Sequence, residues 1–469
     1  MFGKLLQAIR KVVSKLLGKE NIQKAMNVEV LVSSKMSAKI DKWTRMYEDN
    51  PPWMDKDNGV KSIGLPSTIA SELARLVTLE MKSEITGSGR ADALNEFYQK
   101  LMAQIRTETE YACAKGGLVF KPYILGDKIA VDCIQADNMF PVEFIDGELV
   151  SCVFTDKAVI GKATYTRLEF HSWQDGQYSI VNKAFMNEFG NGELGVEVSL
   201  KKVPKWADID PEVTIGNLSR PLFSYFRMPL ANTVDSKSDI GIGVSVYSKA
   251  ENLIKDADEQ WARILWEFAG SELAIDADAT ALKGVGANAE LPKHSERLFR
   301  KLDLQGKNGD FYSVFSPDIR DSSLFNGFNR ILRQIEFNCG LAYGTLSEVN
   351  ETAKTATEIK TSRQRSYSTV ADIQKALQIA LENLIVSMDE LCSLYEIAPN
   401  GEYEVSFEFD DSLIVDSGTD QAIMLQEVGA GIIKPEIYLM KRYGLTQEQC
   451  KEWMPNADAK KEPDDVEEE

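Results

Sequence analysis

The chain has 469 residues with 72 acidic and 53 basic side chains, a net charge of −19 and a pI near 4.8. That length buries a large core, expected to divide into roughly two to four subdomains. The charge makes the chain self-repelling and excludes a sequence-independent nucleic-acid clamp. No apolar run of about eighteen residues occurs, so no membrane-spanning helix is expected.

In chain order, Met1–Lys19 comes first. Phe2, Leu5, Leu6, Ile9, Val12, Val13, Leu16 and Leu17 form an apolar face, and Lys4, Arg10, Lys11, Lys15 and Lys19 a basic one. This reads as an amphipathic helix that docks on the protein or a partner, with a membrane surface as the alternative. Charges interrupt every candidate apolar core, so it is not a signal peptide. From Val28 to Gly87 two helical stripes are predicted. Ile40, Trp43, Met46 and Tyr47 carry the first, which stops at Asn50-Pro51-Pro52-Trp53. Ile69, Leu73, Leu76, Val77 and Leu79-Glu80-Met81 carry the second, with Ser67 as its N-cap. A third helix is predicted over Ala91–Cys113.

Between Gly116 and Val203 the period changes to two. Strands are predicted at Leu118–Leu125, Lys128–Ile134, Glu148–Thr155, Thr164–Trp173, Gln177–Phe185 and Glu197–Leu200. Gly126-Asp127, Asp146-Gly147, Asp175-Gly176 and Gly190-Asn191-Gly192 supply the turns. Hairpins inserted among helices give an α+β class. His171 falls in one of these strands with no partner constellation evident in the sequence, so it reads as a packed or surface histidine and not a catalytic one. After the loop Pro204–Gly243, Gly241 and Gly243 precede a helix. The lysine and hydroxyl of a phosphate loop are missing, so the glycines read as a tight turn.

Helices are next predicted over Val244–Leu273 (Val246, Ala250, Leu253, Ala257, Trp261, Ile264, Phe268) and Ser322–Leu341 (Leu324, Phe328, Ile331, Ile335). Between them, Ala277–Pro292 is rich in glycine and alanine, and strands are predicted at Arg297–Asp303 and Asp310–Phe315. Two such strands leave open edges, which neighbouring copies can pair with. Lys283, Lys293, His294, Arg297, Arg300 and Lys301 make this excursion basic, either a solvated face or a surface for an acidic partner.

No glycine or proline occurs between Gly344 and Pro399. One helix is predicted from Thr352 to Glu396, about 65 Å long at ~1.5 Å per residue. Val370, Ile373, Leu377, Leu381, Leu384, Met388, Leu391 and Tyr395 stripe its second half, whereas Thr352–Thr369 has no stripe and must meet solvent, another subunit or a ligand. A strand at Glu402–Phe409, a turn at Asp410-Asp411, short helices and an acidic tail, Glu462–Glu469, complete the chain.

The catalytic signals are absent. The two histidines, His171 and His294, make a histidine-rich metal site unexpected. Cys113, Cys133, Cys152, Cys339, Cys392 and Cys450 lack zinc-ligand spacing and read as reduced core thiols of an intracellular protein. Asp256 and Asp258, two apart on a helix, point in different directions. Neither a nucleophile elbow nor a Walker lysine occurs. No catalytic residue, cofactor or metal is expected.

The element order, more than any short motif, resembles the portal proteins of tailed bacteriophages, specifically of phages and prophages of Gram-positive bacteria. The residues that carry the likeness are Trp43 and Tyr47 with Pro51-Pro52-Trp53, Pro221–Pro229 running into Ile240–Tyr247, the turn at Gly340–Lys354, and Ala430–Glu436 between C-terminal helices. The resemblance implies a portal fold. Residues 1–239 and 356–416 form a wing of helices and hairpins that includes the long helix. Residues 240–274 and 319–342 are a two-helix stem, 275–318 a small α/β clip, 343–355 a tunnel loop, and 417–469 a helical crown with the tail. It further implies a homo-oligomeric ring of about twelve copies at a capsid vertex, assembled in the bacterial cytoplasm. Double-stranded DNA would be packaged and ejected through this ring. The implied partners are the terminase large subunit, the head–tail connector, and the major capsid and scaffolding proteins. Thr345, Glu348, Asn350, Glu351, Lys354 and Lys360 then fall at the channel. Lys283, Lys293, His294, Arg297, Arg300 and Lys301 fall on the clip that meets terminase and connector. Of the cations on the unstriped helix, Lys354, Lys360, Arg363 and Arg365 either touch phosphate or pair with Glu348, Glu351 and Glu358 of neighbours. The alternative is a non-enzymatic ring or scaffold adaptor of a phage-derived particle.

Overall fold

A computed structural model describes residues 19–55, 57, 59–79, 81–174, 176–188, 193–235, 241–272, 274–278, 299–302, 312–348, 356–409, 417–443, 450 and 453. The amphipathic segment before Lys19, the Asp410-Asp411 turn and the acidic tail lie outside them. Two compact units divide the chain, Met1–Glu408 and Phe409–Glu469.

The first unit begins with α1 (Lys19–Met26) and α2 (Ser34–Tyr47). The Ser33 hydroxyl accepts the Met36 N–H at 2.9 Å and caps α2. The predicted stripe holds: Ile40, Trp43 and Met46 are buried. Helix α3 spans Leu65–Thr78. Its cap is Gly64 in the left-handed region, not Ser67, whose hydroxyl instead donates back to the Gly64 carbonyl. Pro66 in the first turn costs no hydrogen bond, which is why the helix starts ahead of it. The expected continuation through Met81 is replaced by β1 (Lys82–Thr86), where Ser83 and Ile85 alternate inward. The predicted third helix is two, α4 (Gly89–Met102) and α5 (Ile105–Lys115).

The hairpin layer forms two sheets. Strands β2 (Gly117–Leu125) and β3 (Lys128–Gln135) make a hairpin. The meander β4 (Met139–Ile145), β5 (Glu148–Ile160), β6 (Ala163–Gln174), β7 (Gln177–Asn187) and β8 (Val196–Val198) runs antiparallel in sequence order, with β9 (Glu212–Ile215) also on β7. Asp146 and Gly147 both have positive φ, 50° and 82°, as a tight hairpin turn requires. Strand β10 (Ser224–Arg227) joins the free edge of β2.

His171 does have partners. It is buried with its Nε2 2.9 Å from Glu169, whose carboxylate also meets Lys121 at 2.5 Å and Arg167 at 3.0 Å. Its Nδ1 meets the Tyr178 hydroxyl. Burial alone would raise the Glu169 pKa, but Lys121, His171 and Arg167 outweigh it and hold the carboxyl well below its usual range. This is an ion-paired core cluster, which fits a packed histidine.

Gly241 and Gly243 serve close approach, not a turn. A Cβ on Gly243 would run into the Gly116 carbonyl, and one on Gly241 would reach the Phe144 ring at 2.9 Å. The segment 244–250 is pinned there, with Val246 N–H donating to the Cys113 carbonyl at 3.0 Å. The next helix, α6 (Glu251–Gly270), therefore starts seven residues later than its periodicity suggests.

Among the described residues the excursion has three strands where two are predicted: β11 (Ala274–Asp278) lies between β12 (Phe299–Leu302), parallel to it, and β13 (Tyr312–Phe315), antiparallel. After α7 (Asp321–Cys339) comes the long helix α8 (Ala356–Leu394). Val370, Ile373, Leu377, Leu381, Leu384, Met388 and Leu391 are buried as predicted, whereas Tyr395 lies past the helix end and is 56% exposed. Burying each such side chain contributes about 1.5–3 kcal/mol, so this half is the anchor. It lies on β10 and β2, where the Ser224 hydroxyl donates to the Ala380 carbonyl at 2.7 Å and that of Ser387 to the Pro221 carbonyl at 3.0 Å. Gln364, Arg365 and Ser368 in the unstriped half are exposed. Strand β14 (Glu404–Glu408) pairs antiparallel with β1, joining segments more than three hundred residues apart.

The second unit contains α9 (Ser417–Gly429) and α10 (Pro435–Tyr443). Gly431, at φ 72°, makes the turn between them, and Pro435 opens α10.

Candidate functional site

Helices α6 and α7 pack antiparallel. Four contacts fix their register. Asn338 Nδ2 donates to the Lys249 carbonyl at 3.2 Å, and Trp261 meets Phe328 with ring centroids 5.5 Å apart. Phe268 meets Phe325 at 6.1 Å, and Arg320 pairs with Glu267 at 3.0 Å. The strands β11–β13 follow beyond the end where Phe268 and Phe325 meet.

The other end is rooted by three buried carboxylates. Glu251 accepts from Lys39, Lys42 and the Trp43 indole at 2.7, 2.6 and 2.6 Å. Burial pushes its pKa up, but these three donors prevail and hold it below the ordinary value. Asp258 accepts from the Trp53 indole at 2.8 Å and the Ile63 N–H at 3.0 Å, yet its pKa is raised because burial outweighs both bonds. Asp256, two residues earlier, is exposed, so the two point apart as expected.

Glu336 organises the turn that follows α7. It is 0% exposed. One oxygen accepts the N–H groups of Gly344, Leu346 and Ser347 at 3.1, 2.6 and 2.9 Å, and the other accepts the Ser347 hydroxyl at 2.8 Å. Asn329 adds a brace, its Oδ1 accepting the Glu348 N–H at 2.8 Å, and Arg333 donates to the Glu348 carbonyl at 3.2 Å. Thr345 and Glu348 are thereby presented outward on a fixed turn. Thr345 borders an open polar groove of about 610 Å³ together with Arg75 and Arg106. Nearby, the Arg365 guanidinium lies 3.7 Å over the Phe337 ring.

Toward the sheet end, the helix pair keeps apolar side chains in solvent. Leu265 is 50% and Trp266 72% exposed on α6, with Ile319 and Phe325 exposed at and near the start of α7. Such a patch points to association.

The family described as "Phage portal protein, SPP1 Gp6-like" matches residues 38–462. The chain belongs to this family. It is a phage portal protein, a structural and non-enzymatic head–tail connector component of a phage-like particle. Among solved structures, it is similar to a chain described as "Neck of native GTA particle computed with C12 symmetry". The two are 12% identical with a TM-score of 0.39, over 84% of this chain and 94% of that one. No curated protein matches.

Of the portal residues read from sequence for the channel, the fold brings Thr345 and Glu348 together. Asn350, Glu351 and Lys354 lie outside the described residues, and Lys360 is placed on α8 by its backbone alone. Of those on the clip, Lys283, Lys293, His294 and Arg297 lie outside. Arg300 and Lys301 are on β12, in register with Asp276 and Ala277 of β11. Sequence reasoning missed Glu336, Asn329 and Arg333. Glu336 had a legible signal: it falls four residues after Leu332 and three before Cys339, on the core face, where a carboxylate needs partners. Among the described residues there is no cluster of His, Cys, Asp and Glu able to hold a metal, and no helix long and apolar enough to cross a membrane. None of the six cysteines is in a disulfide, and burial pushes Cys113 and Cys339 up to about 12.

Proposed function

We propose that this portal protein closes into a ring of about twelve copies, and that double-stranded DNA is packaged and later ejected through the central channel. The observation that carries the reading is the stem: an antiparallel helix pair, rooted by buried carboxylates, whose outer surface carries exposed apolar groups that suit a neighbour. In this assignment residues 240–274 and 319–342 are the stem and 275–318 the clip. The wing comprises 1–239 and 356–416, and 417–469 is the crown. The turn held by Glu336 is the root of the tunnel loop, 343–355, with Thr345, Glu348, Asn350, Glu351, Lys354 and Lys360 toward the channel.

Charge supports passage without adhesion. Twelve chains at −19 sum to about −230, and walls of that sign repel phosphate. The clip residues Lys283, Lys293, His294, Arg297, Arg300 and Lys301 are the basic exception and suit an acidic surface of the terminase large subunit or of the connector. Contacts with the major capsid and scaffolding proteins would complete a virion vertex assembled in the bacterial cytoplasm.

A packaging reaction with procapsids and terminase tests this. Reversing Arg300 and Lys301 to Glu is expected to abolish nuclease-protected DNA while ring formation is unchanged. Glu348→Lys is expected to slow filling. Undiminished packaging with both variants would overturn the assignment.

A further inference from the structure

Gly327 sits in the middle of α7, fully in the open: a Cβ built on it meets nothing within 4 Å. Glycine weakens an exposed helix relative to alanine, and nothing among the described residues requires it there. Trp266 is the converse, a large apolar ring 72% exposed near the sheet end of a packed pair. We propose that in the ring Trp266 of one copy seats over Gly327 of the next, and that Glu259 of the first pairs with Arg330 of the second. This rests on the ring reading and adds the residues that close it.

Helical geometry sets the faces. Ile254, Ala257, Trp261, Ile264 and Phe268 mark the side of α6 that meets α7. Lys255, Glu259, Ala262 and Trp266, spaced by four, three and four, lie on the opposite side. On α7 the inner side is marked by Leu324, Phe328, Leu332 and Ile335. Ser323, Asn326, Gly327, Arg330 and Gln334 point away from it. The hairpin thus presents a knob on one outer face and a small-residue seat on the other, the head-to-tail complementarity that a cyclic assembly uses.

Height along the stem agrees. Rotation about a ring axis moves a group around the axis and not along it. With the hairpin running along the axis, mating groups must be level. The Trp261–Phe328 contact sets the level. Two residues back along α6 and two forward along antiparallel α7 bring Glu259 level with Arg330. Counted the same way from the Phe268–Phe325 contact, two residues back along α6 and two forward along α7 bring Trp266 level with Gly327. The charges match too. Among the described residues Glu259 has only long intrahelical pairs, 3.6 Å to Lys255 and 3.9 Å to Arg263. Arg330 is exposed and makes no ion pair among the described residues.

The test is cross-linking of the full chain carrying Glu259→Cys with Arg330→Cys, which leaves Trp266 and Gly327 in place, using a short-spacer bismaleimide. The two positions lie on opposite faces of one hairpin, so linkage within a copy is disfavoured. A ladder of covalent multimers up to the full ring is expected, with each single variant remaining at monomer mass. Gly327→Leu, which favours the helix, is expected to retain its circular dichroism and lose the rings. Wild-type rings in the microscope without a ladder from the double variant would overturn this interface alone. Absence of rings from the wild type would overturn the ring reading, and the interface with it.

Discussion

The Glu336 carboxylate accepts the Ser347 N–H at 2.9 Å across eleven residues of chain and does so from a fully buried position. One helix residue therefore sets the conformation of the turn that follows α7. Glu336→Leu orphans three backbone donors and is expected to destabilise the turn by about 2–3 kcal/mol. Amide exchange at Gly344, Leu346 and Ser347 should then speed up by roughly thirtyfold or more, at about 1.4 kcal/mol per tenfold. Glu336→Gln keeps an acceptor at the same place and loses only the charge assistance, about 1 kcal/mol. Equal exchange rates in all three proteins would remove Glu336 from this role.

Arg90 closes the far end of the long helix. Its side chain is 1% exposed, ion-paired to Asp389 at 2.6 Å, donating to the Asp389 and Ala398 carbonyls at 2.6 and 2.7 Å and also to the Ser393 hydroxyl. Arg90→Met should cost about 3 kcal/mol, read as a lower denaturation midpoint. Arg90→Lys should rescue little, because one ammonium cannot reach all four acceptors.

The two buried carboxyls of α6 oppose each other in pH. Glu251 has a depressed folded pKa, so its contribution is present above the unfolded value of about 4.3 and is lost as pH falls through the folded one. Asp258 has a raised folded pKa, so the folded state binds its proton more tightly. That contribution favours the fold in acid and is lost as pH rises from about 3.9 through the folded value. In stability measured from pH 7 downward, Glu251→Gln should flatten the acid loss and Asp258→Asn should steepen it. Parallel curves for all three proteins would contradict the assignment.

Gly243 and Gly116 approach each other through their backbones, and Gly116 also has φ +98°. Gly243→Ala forces a backbone shift and is expected to cost about 2–3 kcal/mol. A thermal midpoint equal to that of wild type would show that the contact yields more easily than its geometry suggests.

What the sequence made legible were features fixed by local chemistry. The Asp-Gly turns located the hairpins of the meander, and the stripe from Val370 to Leu391 located the anchored half of α8. The misses depend on distant partners. Strand β1 exists because β14 pairs with it, and nothing near Lys82 announces that. Segment 244–250 has helical periodicity but is held as turns by the end of α5. Strand β11, Ala274-Ile-Asp-Ala-Asp278, carries no clear strand signal of its own, since its partners lie across the excursion. At the site, the turn that carries Thr345 and Glu348 was readable from Gly340. The residues that hold them were not, because a buried carboxylate and its donors meet only in the fold.

Electron microscopy of the purified chain tests the central claim most directly. The account predicts an annulus of rotationally repeated copies around an open bore wide enough for a DNA duplex, about 20 Å or more, with a particle mass near 630 kDa for about twelve copies of the 52.4 kDa chain. A monodisperse particle of one chain, or a closed assembly with no passage, would contradict it.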